Sequence, residues 1–241
     1  MITGKWKITL ALALLSASSS VGKTQPQSPE KSSAVGSHQY FPAGAFNGSR
    51  SEDGSRAAWY ACTLTALKEP SLFELRSTET SEVYRFLWLP SFHDPISVRL
   101  AIKPDGSGVV VARSVDRKTG LLVLKMRDKT IPNGTGKLTM DTVNDVGNAQ
   151  VQDVLRELQD LQFWSLKTTE EAQTPTQEGT ASTLQATMVP LPPLDGARWI
   201  LEGVRGGQYH VVDRWSPKDD EYARLCRFLL TLAKVEEKNL Y

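Results

Sequence analysis

The densest group of residues able to do chemistry is Glu202, Tyr209, His210, Asp213, Arg214 and Trp215, all within one short stretch near the C-terminal end. A histidine oriented by a carboxylate is the standard general base, so His210 with Glu202 or Asp213 is one possible reacting pair. His93-Asp94-Pro95 is a second place where imidazole and carboxylate meet in sequence. Asp before Pro is also an ordinary way to start a turn. The three histidines, His38, His93 and His210, lie far apart without metal-ligand spacing, so neither a metal nor another cofactor is expected. No glycine-flanked serine elbow and no phosphate-cradling glycine loop precedes a helix.

The elements that must position these residues follow from the hydrophobic pattern. Ala197 to Val204 and Gln208 to Trp215 flank Arg205-Gly206-Gly207, a hairpin signal. A two-residue turn at Arg205-Gly206 sets Arg198 opposite Asp213, an ion pair worth a few tenths of a kcal/mol. Strand alternation then puts His210 and Arg214 on one face. It puts Tyr209 and Asp213 on the other, with Arg198 and Glu202. The hairpin alone does not build a histidine–carboxylate dyad, and the same residues read as a polar network that pins the hairpin to a core.

Upstream, Ala57, Tyr60, Ala61, Leu64 and Leu67 recur at helical spacing behind Ser55, and Pro70 closes that helix. The period then drops to two. Val83 to Leu89, Ile96 to Ile102, Val109 to Val115, Leu121 to Arg127 and Gly136 to Val143 read as strands with short turns, which favours an antiparallel meander. Val151, Val154, Leu155, Leu158 and Leu161 mark a second helix. Tyr222, Leu225, Cys226, Leu229, Leu232 and Ala233 mark the last. The fold class is α+β: an antiparallel sheet of about six or seven strands with helices packed on one face. Trp88, Trp164, Trp199 and Trp215 either pack in that core or form an exposed platform for a glycan or peptide.

The chain has 241 residues, with 28 Lys and Arg against 27 Asp and Glu. That balance argues against binding nucleic acid through a basic field. Lys5 and Lys7, the apolar run Ile8 to Leu15 and the small residues from Ser16 to Ser20 have the layout of a secretory signal peptide. The organisation expected is a signal peptide over 1–22, a flexible leader over 23–54 and a single α+β domain over 55–241, with a disordered insertion at 168–195. Tyr40, Phe41 and Phe46 in the leader are read as solvated, with docking on the folded part as the alternative, and His38 as inert. No transmembrane segment is expected after signal removal. Cys62 and Cys226 are either a disulfide tying the first helix to the last, as an oxidising compartment permits, or two buried thiols.

One resemblance enters here. Trp199-Ile200-Leu201-Glu202-Gly203, followed by Tyr209-His210-Val211-Val212-Asp213-Arg214-Trp215-Ser216-Pro217, resembles a signature of an uncharacterised family of secreted bacterial proteins. Glu69 to Leu72 and Tyr84 to Trp88 are similar to its upstream parts. The resemblance implies export, to the periplasm or the medium, and a single domain; it brings no activity. The function expected is a non-catalytic binding or envelope-associated module with a protein or glycan partner. The alternatives are a hydrolase using His93 or His210, or an inhibitor of a secreted enzyme presenting Leu89 to Pro95.

Overall fold

A computed structural model describes residues 38–46, 50–78, 81–116, 137–170 and 195–236, with side chains from residue 56 onward in the first helix. The elements are α1 (Arg50–Ala66), α2 (Leu72–Leu75), β1 (Val83–Pro90), β2 (Ile96–Ile102), β3 (Gly108–Val115), β4 (Leu138–Val146), α3 (Asn148–Asp160), a 3-10 turn (Phe163–Ser165), β5 (Ala197–Arg205), β6 (Gln208–Trp215) and α4 (Glu221–Leu232). The six strands form one antiparallel sheet in the order β4-β3-β2-β1-β5-β6. The first four strands make a meander, in which β3 pairs directly with β4 where the expected one set Leu121 to Arg127 between them, and the β5–β6 hairpin adds on the free edge of β1. The proposed strand Leu121 to Arg127, the signal peptide and most of the 168–195 insertion lie outside the described residues. Thr169 bridges to Asp213 in parallel, so the start of that insertion runs beside β6 and belongs to the domain.

The α+β class is the one observed, but the helices cover both faces of the sheet instead of one. Tyr84, Phe86 and Trp88 of β1 pack with α3 and α4. Leu87 and Leu89 face the other way, into a cluster with Tyr60, Leu64 and Leu67 of α1 and its C-terminal turn. Every residue from Val83 to Leu89 is buried. A strand that is apolar at consecutive positions, instead of at every second one, is the pattern of a strand covered on both sides.

Two boundaries differ from expectation for the same reason. Helix α1 begins at Arg50, not at Ser55. Tyr40, Phe41 and Phe46, read as solvated within a 23–54 leader, are buried in the α1 cluster, where Phe46 meets Tyr60 edge-on at 5.2 Å. The segment is tied down by polar contacts as well. The Tyr40 hydroxyl donates to the Glu69 carbonyl at 2.9 Å, and Ser71 Oγ donates to the Gln39 carbonyl at 2.6 Å. His38 Nδ1 lies 2.9 Å from Glu74 at the surface.

The thiols of Cys62 and Cys226 are both free, which corrects the disulfide reading. Cys62 sits on α1, whereas Cys226 is buried among the α3 and α4 residues. The sheet therefore lies between them, and a bridge needs Cα atoms no more than about 7 Å apart. Among the described residues no helix is long and apolar enough to cross a membrane.

Candidate functional site

The hairpin turn differs by one step from the expected one, and the difference matters little for the site. Gly206 and Gly207 occupy the turn with φ of 56° and 79°. A two-residue turn of this type needs positive φ at both positions, which glycine accepts and Arg205 resists. Arg205 therefore pairs with Gln208, Gly203 with His210, and Ile200 with Asp213. The register moves by two, so each side chain keeps its expected face.

Glu202 is fully buried on the α1 face. Arg85, directly opposite on β1 and equally buried, donates Nε at 2.8 Å and Nη2 at 2.6 Å to the same oxygen, Oε2. The Tyr209 hydroxyl donates to Glu202 Oε1 at 2.9 Å, and Arg85 Nη1 donates to the Pro70 carbonyl at 2.6 Å. Helix α1 delivers the next member. Lys68 takes φ of 56°, the Lys68 amide donates to Thr65, and the Glu69 amide donates to Leu64. That left-handed cap stops the helix before Pro70 and turns Glu69 down onto the sheet. Its buried carboxylate accepts from Arg99 at 2.9 Å and Arg113 at 3.3 Å and lies 3.8 Å from Arg85. Arg113 goes on to Asp141 at 3.0 Å. Burial pushes the Glu202 carboxyl up, against the downward pull of Arg85 and Tyr209. Burial alone would lower Arg85, but Glu202 and Glu69 outweigh it and hold the guanidinium charged.

Asp213 is the second buried acid of the hairpin. Tyr60 of α1 donates its hydroxyl to Oδ2 at 2.9 Å, Arg198 reaches Oδ1 at 3.5 Å, and Arg56 lies at 3.6 Å. The Arg198–Asp213 contact expected from the hairpin is present as a diagonal pair, since Trp215 is the residue opposite Arg198. The Arg198 guanidinium also sits 5.0 Å from the Trp215 ring. Burial raises the Asp213 carboxyl above the usual carboxylate range, and Arg198 and Tyr60 only partly offset it.

His210 and Arg214 face the other way. His210 meets Phe163 edge-on at 5.1 Å and Trp164 at 6.2 Å. Burial lowers its pKa, against a hydrogen bond with the Leu166 backbone. Arg214 donates to the carbonyls of Thr168, Asp213 and Lys167 at 3.1, 2.9 and 2.9 Å. The sheet thus separates His210 from Glu202 and the Asp213 carboxylate, and no dyad forms between them.

His93 has a different setting. It lines a cavity of about 370 Å³ with Trp88, Phe92, Asp94, Ile96, Leu230, Val235 and Glu236. The His93 ring lies nearly parallel to Trp88, 13° apart with centroids at 6.4 Å. Phe92 is 48 % exposed at the rim. Imidazole and carboxylates therefore do share a cavity, but His210 is not part of it. Among the described residues no three His, Cys, Asp or Glu side chains converge as metal ligands.

Arg85, Glu69, Arg99 and Arg113 were not among the residues singled out from sequence. A usable signal existed for the first: Arg85 interrupts the run Val83 to Leu89 in which every other residue is apolar. A charge inside such a strand demands a buried partner. Comparison of the chain with family models, with curated proteins and with solved structures gives no match.

Proposed function

We propose that this chain is an exported binding module, not a catalyst. The observation that carries the reading is the engagement of both hairpin acids inside the fold, Glu202 by Arg85 and Tyr209, and Asp213 by Tyr60 and Arg198. Carboxylates used to join layers are withdrawn from substrate, and His210 stands on the far side of the sheet from them. The cavity beside His93 is then the natural binding place, since concave sites with apolar walls and a few polar groups are where small ligands seat. Export, and membership of the secreted bacterial family suggested by the Trp199–Pro217 signature, belong to the same proposal. Their support is the Lys5–Ser20 pattern and the signature residues themselves. Cell fractionation followed by N-terminal sequencing is expected to find the chain outside the cytoplasm, starting near residues 17–23; a chain retained in the cytoplasm contradicts export, and an intact Met1 contradicts cleavage.

A hydrolytic reading is favoured by one observation only, that His93 shares its cavity with Asp94 and Glu236. A thermal-shift screen of small molecules, followed by mass spectrometry of each stabilising compound, separates the two. Binding predicts stabilisation with the compound recovered unchanged. A compound recovered cleaved, with cleavage abolished in His93→Ala, overturns the binding reading.

A further inference from the structure

We propose that His210 is a pH-sensitive latch: protonation of its ring undocks the segment Phe163–Thr169 from β6 and opens the outer edge of that strand. No residue of the His93 cavity takes part, so the latch stands apart from the binding reading. The segment is held at two points. At its root, the 3-10 turn packs Phe163 and Trp164 on the His210 ring, at 5.1 and 6.2 Å. Phe163 fits there because the residue opposite His210 is Gly203, where a Cβ would stand 2.7 Å from Phe163 Cε1. Further on, the Asp213 amide donates to the Thr168 carbonyl at 2.7 Å, and the Arg214 guanidinium donates to the Lys167 and Thr168 carbonyls. The turn is entered through Gln162 at φ of 53°, a left-handed conformation that costs strain in a residue other than glycine. The packing on His210 and the carbonyl contacts hold the turn against that strain.

The docked ring suits the neutral form. Its Nε2 is buried and has no hydrogen-bond partner among the described residues. The imidazolium would place an N–H donor there without an acceptor, together with a buried charge. The neighbours do not offset that charge. Arg214 shares the strand face, Arg205 of β5 stands 4.8 Å from the Trp164 ring, and Lys167 follows the turn itself. The acids on this side, Glu170 and Glu82, lie 3.6 Å from Arg214 and 3.9 Å from Arg205. Tyr84 of β1 packs on Trp164, Tyr222 of α4 lies beside Arg214, and burial keeps both phenols protonated. Burial accordingly holds the His210 ring below its ordinary pKa, with Arg214 adding to the effect, against the Leu166 backbone bond. A depressed pKa in the docked state means that docking is fully stabilised above the undocked value of about 6.5. It is lost as pH falls from there toward the docked value. Undocking lets the partly exposed ring turn into water, and frees the Asp213 amide on an edge strand to pair with another extended segment.

The test uses the full chain and two readouts over the same acid titration: the NMR signals of the His210 ring, and the hydrogen-exchange protection of the Asp213 amide. The ring is expected to titrate below about 6.5, and the protection to fall in the same step by up to about tenfold per pH unit. His210→Phe keeps an aromatic ring that cannot titrate and is expected to abolish the step. His93→Gln is expected to leave it unchanged. A His210 ring that titrates at or above its ordinary value overturns the latch. Protection that stays constant while the ring titrates overturns it too, as does a step that persists in His210→Phe, which then belongs to the Asp213 carboxyl. Should His210→Phe fail to fold, the coincidence or separation of the two curves in the parent chain decides alone.

Discussion

Asp213 shows how burial decides what a carboxylate can do. Its raised pKa means that the folded chain holds the proton to higher pH than the unfolded chain does. That contribution to stability is fully present below the unfolded value of about 3.9. It is lost as pH rises through the folded value. The stability of the parent minus that of Asp213→Asn is therefore expected to fall as pH rises from about 4 toward neutrality; urea unfolding across that range checks the sign. A difference that grows with pH contradicts the assignment of Asp213 as a desolvated acid. The face on which Asp213 sits was legible from alternation alone, because a two-residue change of register preserves it. Its partner Tyr60 was not legible. The contact joins residues 153 positions apart, and periodicity carries no information about which helix lands on which face.

At the scale of elements, the hairpin and the segment before α1 carry the lessons. Gly203 is not a turn residue. A Cβ there would stand 2.7 Å from Phe163 Cε1 and 3.0 Å from Tyr84 Cε1. Gly203→Ala is expected to cost about 1–3 kcal/mol by overpacking and to shift the 3-10 turn, read as changed aromatic NMR signals of Phe163. An unchanged spectrum and unchanged stability contradict the close approach. Phe46→Ala is expected to cost about 3–5 kcal/mol, as for a fully buried ring; a neutral result in a denaturant melt means that the segment does not dock. Strand positions were readable because a period of two is strong in Ile96 to Ile102 and because Arg205-Gly206-Gly207 marks the turn before Gln208 to Trp215. The docking of Tyr40, Phe41 and Phe46 was not, because three aromatics among polar and small residues have no period at all. Their burial depends on a cleft that only the folded α1 and sheet create.

For the whole molecule, the polar residues form a line that crosses the sheet. Tyr209 lies on β6, Glu202 on β5, Arg85 on β1, Arg99 on β2, Arg113 on β3 and Asp141 on β4. Glu69 joins three of the arginines from above. The sheet thus has an apolar face under α3 and α4, and on the other side a charged seam beside the apolar cluster under α1. Cys62 and Cys226 fall on opposite sides of it, so a thiol count in denaturant without reductant is expected to find both free; no reactive thiol contradicts this layering. The central claim is that the seam is structural: Arg85 and Glu202 exist for each other and for the joining of layers. A double-mutant cycle by equilibrium unfolding tests it most directly. Arg85→Met or Glu202→Leu alone is expected to cost about 3–5 kcal/mol, the first by leaving the buried Glu202 without its guanidinium and the second by leaving Arg85 only its longer contact to Glu69. The double variant is expected to recover most of that loss, with Glu69 still held by Arg99 and Arg113. Single variants near the parent's stability, or a double variant whose loss equals the sum, would contradict the account.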